Sequence, residues 1–296
     1  MQPKIELAKT RDFGEIINDT FVFIGQNWKP LLKSYAIICG FFIVANLVVA
    51  LLQQHKMIDT MQTPGSYSAA YNLGYRLRSM FGVTYFLSMI FGIFSLTAIS
   101  LVPLSFIALY KEKGNAAPET EEVWSYFKHY FFRVMGSYLV IGVCLVVGFA
   151  LCLIPGFYLW PVFSLILPII VFENSTLGYS WSKSFQLIKE NWWSTFGAIV
   201  VSWIITYAAV MVFIIPVTLI TVGSVFLSRT QPTTSSALIL TTIISSFCYV
   251  FYMLPTITAA LCYFSLNEQK EGTGLKNRIN NFGSNDPDSG LPKEEY

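Results

Sequence analysis

The chain has 296 residues, of which 54% are hydrophobic, 16% aromatic and only 12% charged, against about 25% charged in ordinary soluble domains. So little polar side chain, combined with apolar stretches longer than about 20 residues, cannot cover a water-exposed globule. Composition therefore excludes a soluble enzyme, a nucleic-acid binder and a disordered protein, and the net charge of +2, from 19 basic and 17 acidic residues, is too small for a polyanion-binding surface.

The first twenty residues are polar and charged and lack the short apolar core of a secretory signal, so the first span is expected to insert by itself and stay. Within this region Phe13, Ile16, Ile17, Thr20, Phe21, Ile24 and Trp28 recur at helical spacing, with Asp12, Glu15 and Asp19 opposite them, which predicts an amphipathic surface helix. Its acidic face cannot be held down by anionic lipid, so packing against the spans is expected to hold it.

Charge-free intervals locate the spans, because a charge at the bilayer centre costs about 2.5–3.5 kcal/mol. They predict six transmembrane helices near 34–54, 84–110, 134–153, 157–173, 193–215 and 237–264. The charge-free run from Val134 to Phe172 is long enough to cross twice at about 1.5 Å per residue, and Pro155-Gly156 is expected to divide it. Between the first two spans, 53–80 reads as an external loop, partly helical near 69–77, with Arg76 and Arg78 bordering the second span. A second surface helix is built on Val123, Phe127, Tyr130, Phe131 and Val134, and Glu119, Glu121 and Glu122 open it, where acids favour the helix dipole. A third precedes the fifth span. The polar stretch 267–296 is expected to be a disordered cytoplasmic tail.

Lysine and arginine are distributed unevenly over this plan. The N-terminus, the 111–133 and 174–192 connections and the tail hold 15 of them, and the opposite side holds Lys56, Arg76, Arg78 and Arg229. The positive-inside rule then puts both termini in the cytoplasm. Trp28, Trp124, Trp181, Trp192 and Trp193 fall at the same boundary, where an amphipathic ring prefers the headgroup layer.

The pattern repeats. Thr20-Phe21, Ile24 and Asn27-Trp28 match Ser184-Phe185, Ile188 and Asn191-Trp192 at identical spacing, and the even spans share a proline followed five and six residues on by apolar residues, at Pro103, Pro161 and Pro255. The expected fold is therefore all-α: a polytopic integral membrane protein with six transmembrane helices as three hairpins, each preceded by an amphipathic interfacial helix. One membrane domain, 1–266, then contains pseudo-repeats 11–110, 119–173 and 177–266.

Chemistry is sparse. Cys39, Cys144, Cys152, Cys248 and Cys262 lie in apolar stretches without CxxC or a nearby histidine, so they read as small buried hydrophobes rather than metal ligands or a redox pair. His55 and His129 fall on opposite sides, no ionisable residue lies deep in a span, and no HExxH, GxSxG or phosphate loop occurs. No catalytic residue, cofactor or metal is expected. Glu173 is the acid that stands out: it ends the fourth span close to Ser180, Lys183 and Ser184, and reads as a polar contact between surface helix and bundle, as a headgroup site, or as a boundary carboxylate facing water or a lysine. Pro103, Pro161, Pro168, Pro216 and Pro255 either break helices around a substrate, as in transporters, or simply kink spans that neighbours re-satisfy.

The string PVFSLILPIIVFENSTLGYSWSKSFQLIKENWWSTFG, preceded by IPGFY, resembles the membrane domain of bacterial glycerophosphoryl diester phosphodiesterases and related stand-alone polytopic proteins, best over about 120–205. The resemblance implies the fold and a bacterial cytoplasmic membrane. In those enzymes catalysis belongs to a separate soluble barrel, a fold that typically takes about 250 residues, and the roughly thirty residues expected after the last span cannot form one, so the activity is not carried over. Two readings follow. One is a non-catalytic scaffold or assembly subunit of a membrane complex, with the bilayer and other membrane proteins as partners, no nucleic acid, and small-residue faces such as Ser88 and Gly92 for helix contact. The other is a lipid or small-molecule transporter, which requires Ser88, Ser95, Thr97, Ser100, Ser105, Ser202 and Thr206 to converge on a polar cavity.

Overall fold

The computed structural model describes residues 4–62, 82–151, 153–228 and 234–272, and all regular structure among them is helical. In chain order these are α1 (Phe13–Gln62), α2 (Val83–Glu112), α3 (Thr120–Leu151), α4 (Leu153–Phe172), α5 (Leu177–Ile188), α6 (Trp192–Ser228), α7 (Thr234–Phe247), a 3₁₀ turn (Cys248–Tyr252) and α8 (Met253–Glu271). Five helical stretches are long and apolar enough to cross a membrane: Phe13–His55, Val83–Glu112, Thr120–Ala150, Trp192–Leu219 and Ile239–Glu271. A shorter apolar helix runs from Gly156 to Phe172.

Several boundaries differ from the sequence reading. The first two surface helices are not separate elements, because α1 and α3 run unbroken from surface segment into span. Both start on a side-chain cap, reciprocal in α1 and one-way in α3. Glu15 N–H donates to Asp12 Oδ1 at 2.7 Å while Asp12 N–H donates to Glu15 Oε2 at 3.2 Å, and Glu119 N–H donates to Glu122 Oε2 at 2.8 Å. Nothing beyond that start interrupts the helical ladder of α1 except Pro30, which lies inside it. The stretch 53–62, read as loop, continues α1, and 63–81, with Arg76 and Arg78, lies outside the described residues. The run expected to divide at Pro155-Gly156 is described as two helices, to Leu151 and from Leu153, and Pro155 sits in the first turn of α4, where a missing N–H costs nothing. Gly156 allows the tight approach there: a Cβ on it would lie 2.4 Å from the Phe149 ring. At the other end, α8 reaches Glu271, five residues into the expected tail, and stops where Gly272 takes φ 56° and donates its N–H to Glu268; 273–296 lie outside the described residues.

The buried face of α1 is also rotated from the predicted stripe. Ile16, Thr20, Phe23, Asn27 and Leu31 are buried, whereas Phe13, Phe21 and Trp28 are exposed. The reason is that one side of the helix meets the bundle, Thr20 against Thr258 at 3.3 Å and Phe23 against the rings of Phe106 and Tyr110, while the flanking aromatics face outward. In α3 the stripe holds, with Val123, Phe127, Tyr130, Phe131 and Val134 all buried.

Burial sorts the helices into two classes. The most apolar windows of α2 and of the last span are 67% and 61% buried, against 22–28% for α1, α3 and α6. Helices α2, α4 and α8 pack on one another as the centre, filled by Leu101, Leu104, Ile107, Leu165, Ile166, Ile169 and Leu261. Around them α1, α3 and α6 present Phe41, Val143, Val146 and Val212 outward, the surface a bilayer covers.

Candidate functional site

Two places gather side chains from several helices. The first is the end of the bundle where α2, α4 and α8 finish. There the Phe172 ring stacks on Phe264 with centroids 4.7 Å apart, and Lys111 Nζ lies 5.0 Å from the same ring. Glu173, singled out from sequence, accepts from Tyr263 Oη at 2.6 Å and pairs with Lys183 Nζ at 2.8 Å. Lys183 also reaches Glu271 Oε1 at 2.9 Å, so one ammonium ties α5 to the last residues of both α4 and α8. Lys270 donates to the Gln186 carbonyl, and Asn191 Nδ2 donates to Gln269 Oε1 at 2.7 Å. Partial burial works against the Lys183 charge, but the two carboxylates outweigh it and its pKa lies above the ordinary lysine value. Of the alternatives the sequence left for Glu173, the contact with the surface helix and the pairing with a lysine coincide, because Lys183 belongs to that helix. That helix runs back along α4, Trp181 against Phe163 at 4.8 Å, and just past its end Trp192 donates to the Tyr158 carbonyl at 3.2 Å.

Residues 5–11 close the same end. The Arg11 side chain is fully buried: Nε pairs with Asp19 at 2.8 Å, Nη1 donates to the Leu7 and Lys9 carbonyls at 2.9 and 3.1 Å, and Nη2 donates to Glu6 O. Its backbone N–H donates to Ser265 Oγ at 2.9 Å, and that hydroxyl returns a bond to Arg11 O at 3.2 Å. The hook buries Ile5 and Leu7. With Lys9 on Glu15 at 3.0 Å, it also neutralises the acidic face of α1 that no lipid could hold. Sequence reasoning missed this hook, for no periodicity marks an arginine whose partners are mostly backbone carbonyls.

The second place is a cavity of about 190 Å³ walled by α2, α3, α4, α6 and α8. Trp160, Phe163, Trp203 and Tyr252 form aromatic walls, Pro168 and Pro255 line it, and no Asp, Glu, Lys, Arg or His does. Its hydroxyls are already engaged. Ser100 donates to Leu96 O at 3.0 Å and accepts from Tyr138 Oη at 2.5 Å, Ser164 donates to Pro161 O at 2.7 Å, and Thr256 donates to Tyr252 O at 3.2 Å.

The seven hydroxyls that a polar path would need do not converge. Ser88, Thr97, Ser202 and Thr206 donate to carbonyls of their own helices, and Ser95 donates across to Phe42 O at 2.9 Å. Ser105 Oγ is buried with no partner, which nothing in the structure explains. Of the seven only Ser100 reaches the cavity. Among the described residues no three His, Cys, Asp or Glu side chains lie close enough to hold a metal, and Cys39, Cys144, Cys248 and Cys262 are unpaired thiols; Cys152 lies outside the described residues. Compared with protein-family models, curated proteins and solved structures, the chain matches none.

Proposed function

We propose that the chain is a non-catalytic, six-span protein of a bacterial cytoplasmic membrane that works as an assembly module, docking other membrane helices. One observation carries the reading. Residues 97–110 of α2 are all buried, yet in its N-terminal half Val83, Phe86, Leu87, Met89 and Ile90 are exposed, and a side chain added at Gly92 would meet nothing within 4 Å. An inner helix left uncovered over three turns, with Ser88 and Gly92 four residues apart, is the small-residue face against which another helix backbone can approach closely. The resemblance to the phosphodiesterase membrane domain supports the same fold and location. A solute permease is the weaker reading, because the hydroxyls it requires do not converge on one cavity. A lipid-handling role keeps one supporting feature, the apolar cavity.

The test is photo-crosslinking in native membranes with a benzophenone amino acid in place of Met89, and Val143 on α3 as the comparison. The expected result is a protein adduct of one defined mass at position 89 and lipid adducts alone at 143. Lipid adducts alone at both positions would refute the assembly reading.

A further inference from the structure

We infer that the cavity between α2, α3, α4, α6 and α8 binds one apolar chain of a membrane lipid, whose headgroup stays outside. Protein interiors leave few voids larger than a water molecule, and an apolar void of roughly 150 Å³ stays dry and accepts apolar guests. This one measures about 190 Å³. Among the described residues it has no Asp, Glu, Lys, Arg or His to attract a charged solute, and its serine and threonine hydroxyls donate to helix carbonyls, so it is a poor site for an ion.

The cavity is built by backbone geometry rather than left by small side chains. Pro255 has no N–H for the Phe251 carbonyl and cannot continue a regular helix. Just before it, Met253 N–H bonds to Val250 O in 3₁₀ fashion, and the Tyr249 carbonyl takes the Tyr35 hydroxyl instead, at 2.7 Å. The last span changes there from 3₁₀ to α-helix, and Tyr252 and Pro255 form one wall.

Burial along the walls shows which way the cavity opens. On α2, Leu104 is 0% exposed and Leu96 is 45% exposed. On α6, Ile199 is buried and Trp203 half-buried, and on α4, Leu167 is buried and Trp160 half-buried. The cup is closed toward the end that holds Glu173 and Lys183 and opens toward the interior of the membrane-spanning region, where hydrocarbon is the available guest. Its size is below the roughly 300–1,000 Å³ of sites that enclose a whole drug-sized ligand, which suits one chain and not an entire lipid.

The experiment reconstitutes the full chain into phosphatidylcholine vesicles containing a trace of phosphatidylcholine with a diazirine in one acyl chain, irradiates, and maps adducts by peptide mass spectrometry. Adducts on the segments around Leu96, Trp160 and Trp203 are expected to saturate with increasing probe, and to fall at least tenfold in Ala259→Phe and Ser164→Leu, two separate fillings of the cup. Adducts on the outward Val143 and Val146 are expected to grow linearly and to be unaffected. Adducts confined to outward residues in the unaltered protein would overturn the inference without any variant, and so would cavity adducts that persist in a filled, monodisperse variant. Neither outcome depends on whether position 89 captures a protein.

Discussion

At the scale of single residues, Lys183 ties three segments together. Its ammonium sits between Glu173 and Glu271, with side chains only 14% and 18% exposed for Lys183 and Glu173. A charge-assisted bond of this burial contributes about 1–3 kcal/mol, so Lys183→Met is expected to lower the melting temperature in detergent and to free α5 for proteolysis, whereas Lys183→Arg keeps most of the effect. The pH dependence follows from the raised folded pKa. The stabilisation is complete below the unfolded lysine value of about 10.4 and declines as pH rises from there through the higher folded value. Fluorescence of Trp181 and Trp192 followed from pH 7 to 11.5 is therefore expected to stay flat to near pH 10 and change above it; a change centred near neutrality would refute this account of the latch. Glu173 was legible in the sequence because a carboxylate at the end of a charge-free run is conspicuous. Its second partner, Tyr263, was not, since ninety residues separate them and nothing local marks the pair.

At the scale of elements, the last span shows how a proline works through carbonyl bookkeeping rather than by a simple bend. Because Tyr249 O is occupied by Tyr35 from α1, the 3₁₀ turn leaves no orphaned acceptor there. Pro255→Ala restores an N–H for Phe251 O and is expected to let the α-helical ladder extend through 248–252, slowing amide exchange there several-fold. Unchanged exchange would show that Tyr35 and not Pro255 dictates the turn, and Tyr35→Phe is the variant that separates the two. The sequence located this span well, as a charge-free run bounded by polar residues. Periodicity carried no sign of the 3₁₀ turn, which depends on a tyrosine more than two hundred residues earlier. The continuity of α1 was missed for the opposite reason: amphipathic and apolar stretches look like two elements, although a helix needs no boundary where its face changes from half-wet to fully apolar.

At the scale of the whole molecule, the division into inner α2, α4 and α8 and outer α1, α3 and α6 matches the alternation of odd and even members in the sequence pattern, although which member lies inside could not be read from hydropathy. Both kinds are apolar all round, so their moments are silent, and only burial separates them. Arg11 against Ser265 and Lys183 against Glu271 bring the two ends of the described chain to one end of the bundle. An impermeant thiol reagent applied to intact cells is accordingly expected to spare Lys113→Cys and Ser182→Cys and to label Thr63→Cys. Labelling of only one of the first two would mean an odd number of crossings between them.

The contact between Arg11 and Ser265 joins residues 254 apart in sequence, and this has a consequence for biogenesis. A ribosome that has just released Arg11 has yet to make α8, so the Arg11 backbone cannot meet Ser265 until that helix exists, whereas the guanidinium finds its partners within residues 6–19 beforehand. Completion of the fold is then a late step that reports the arrival of the final helix.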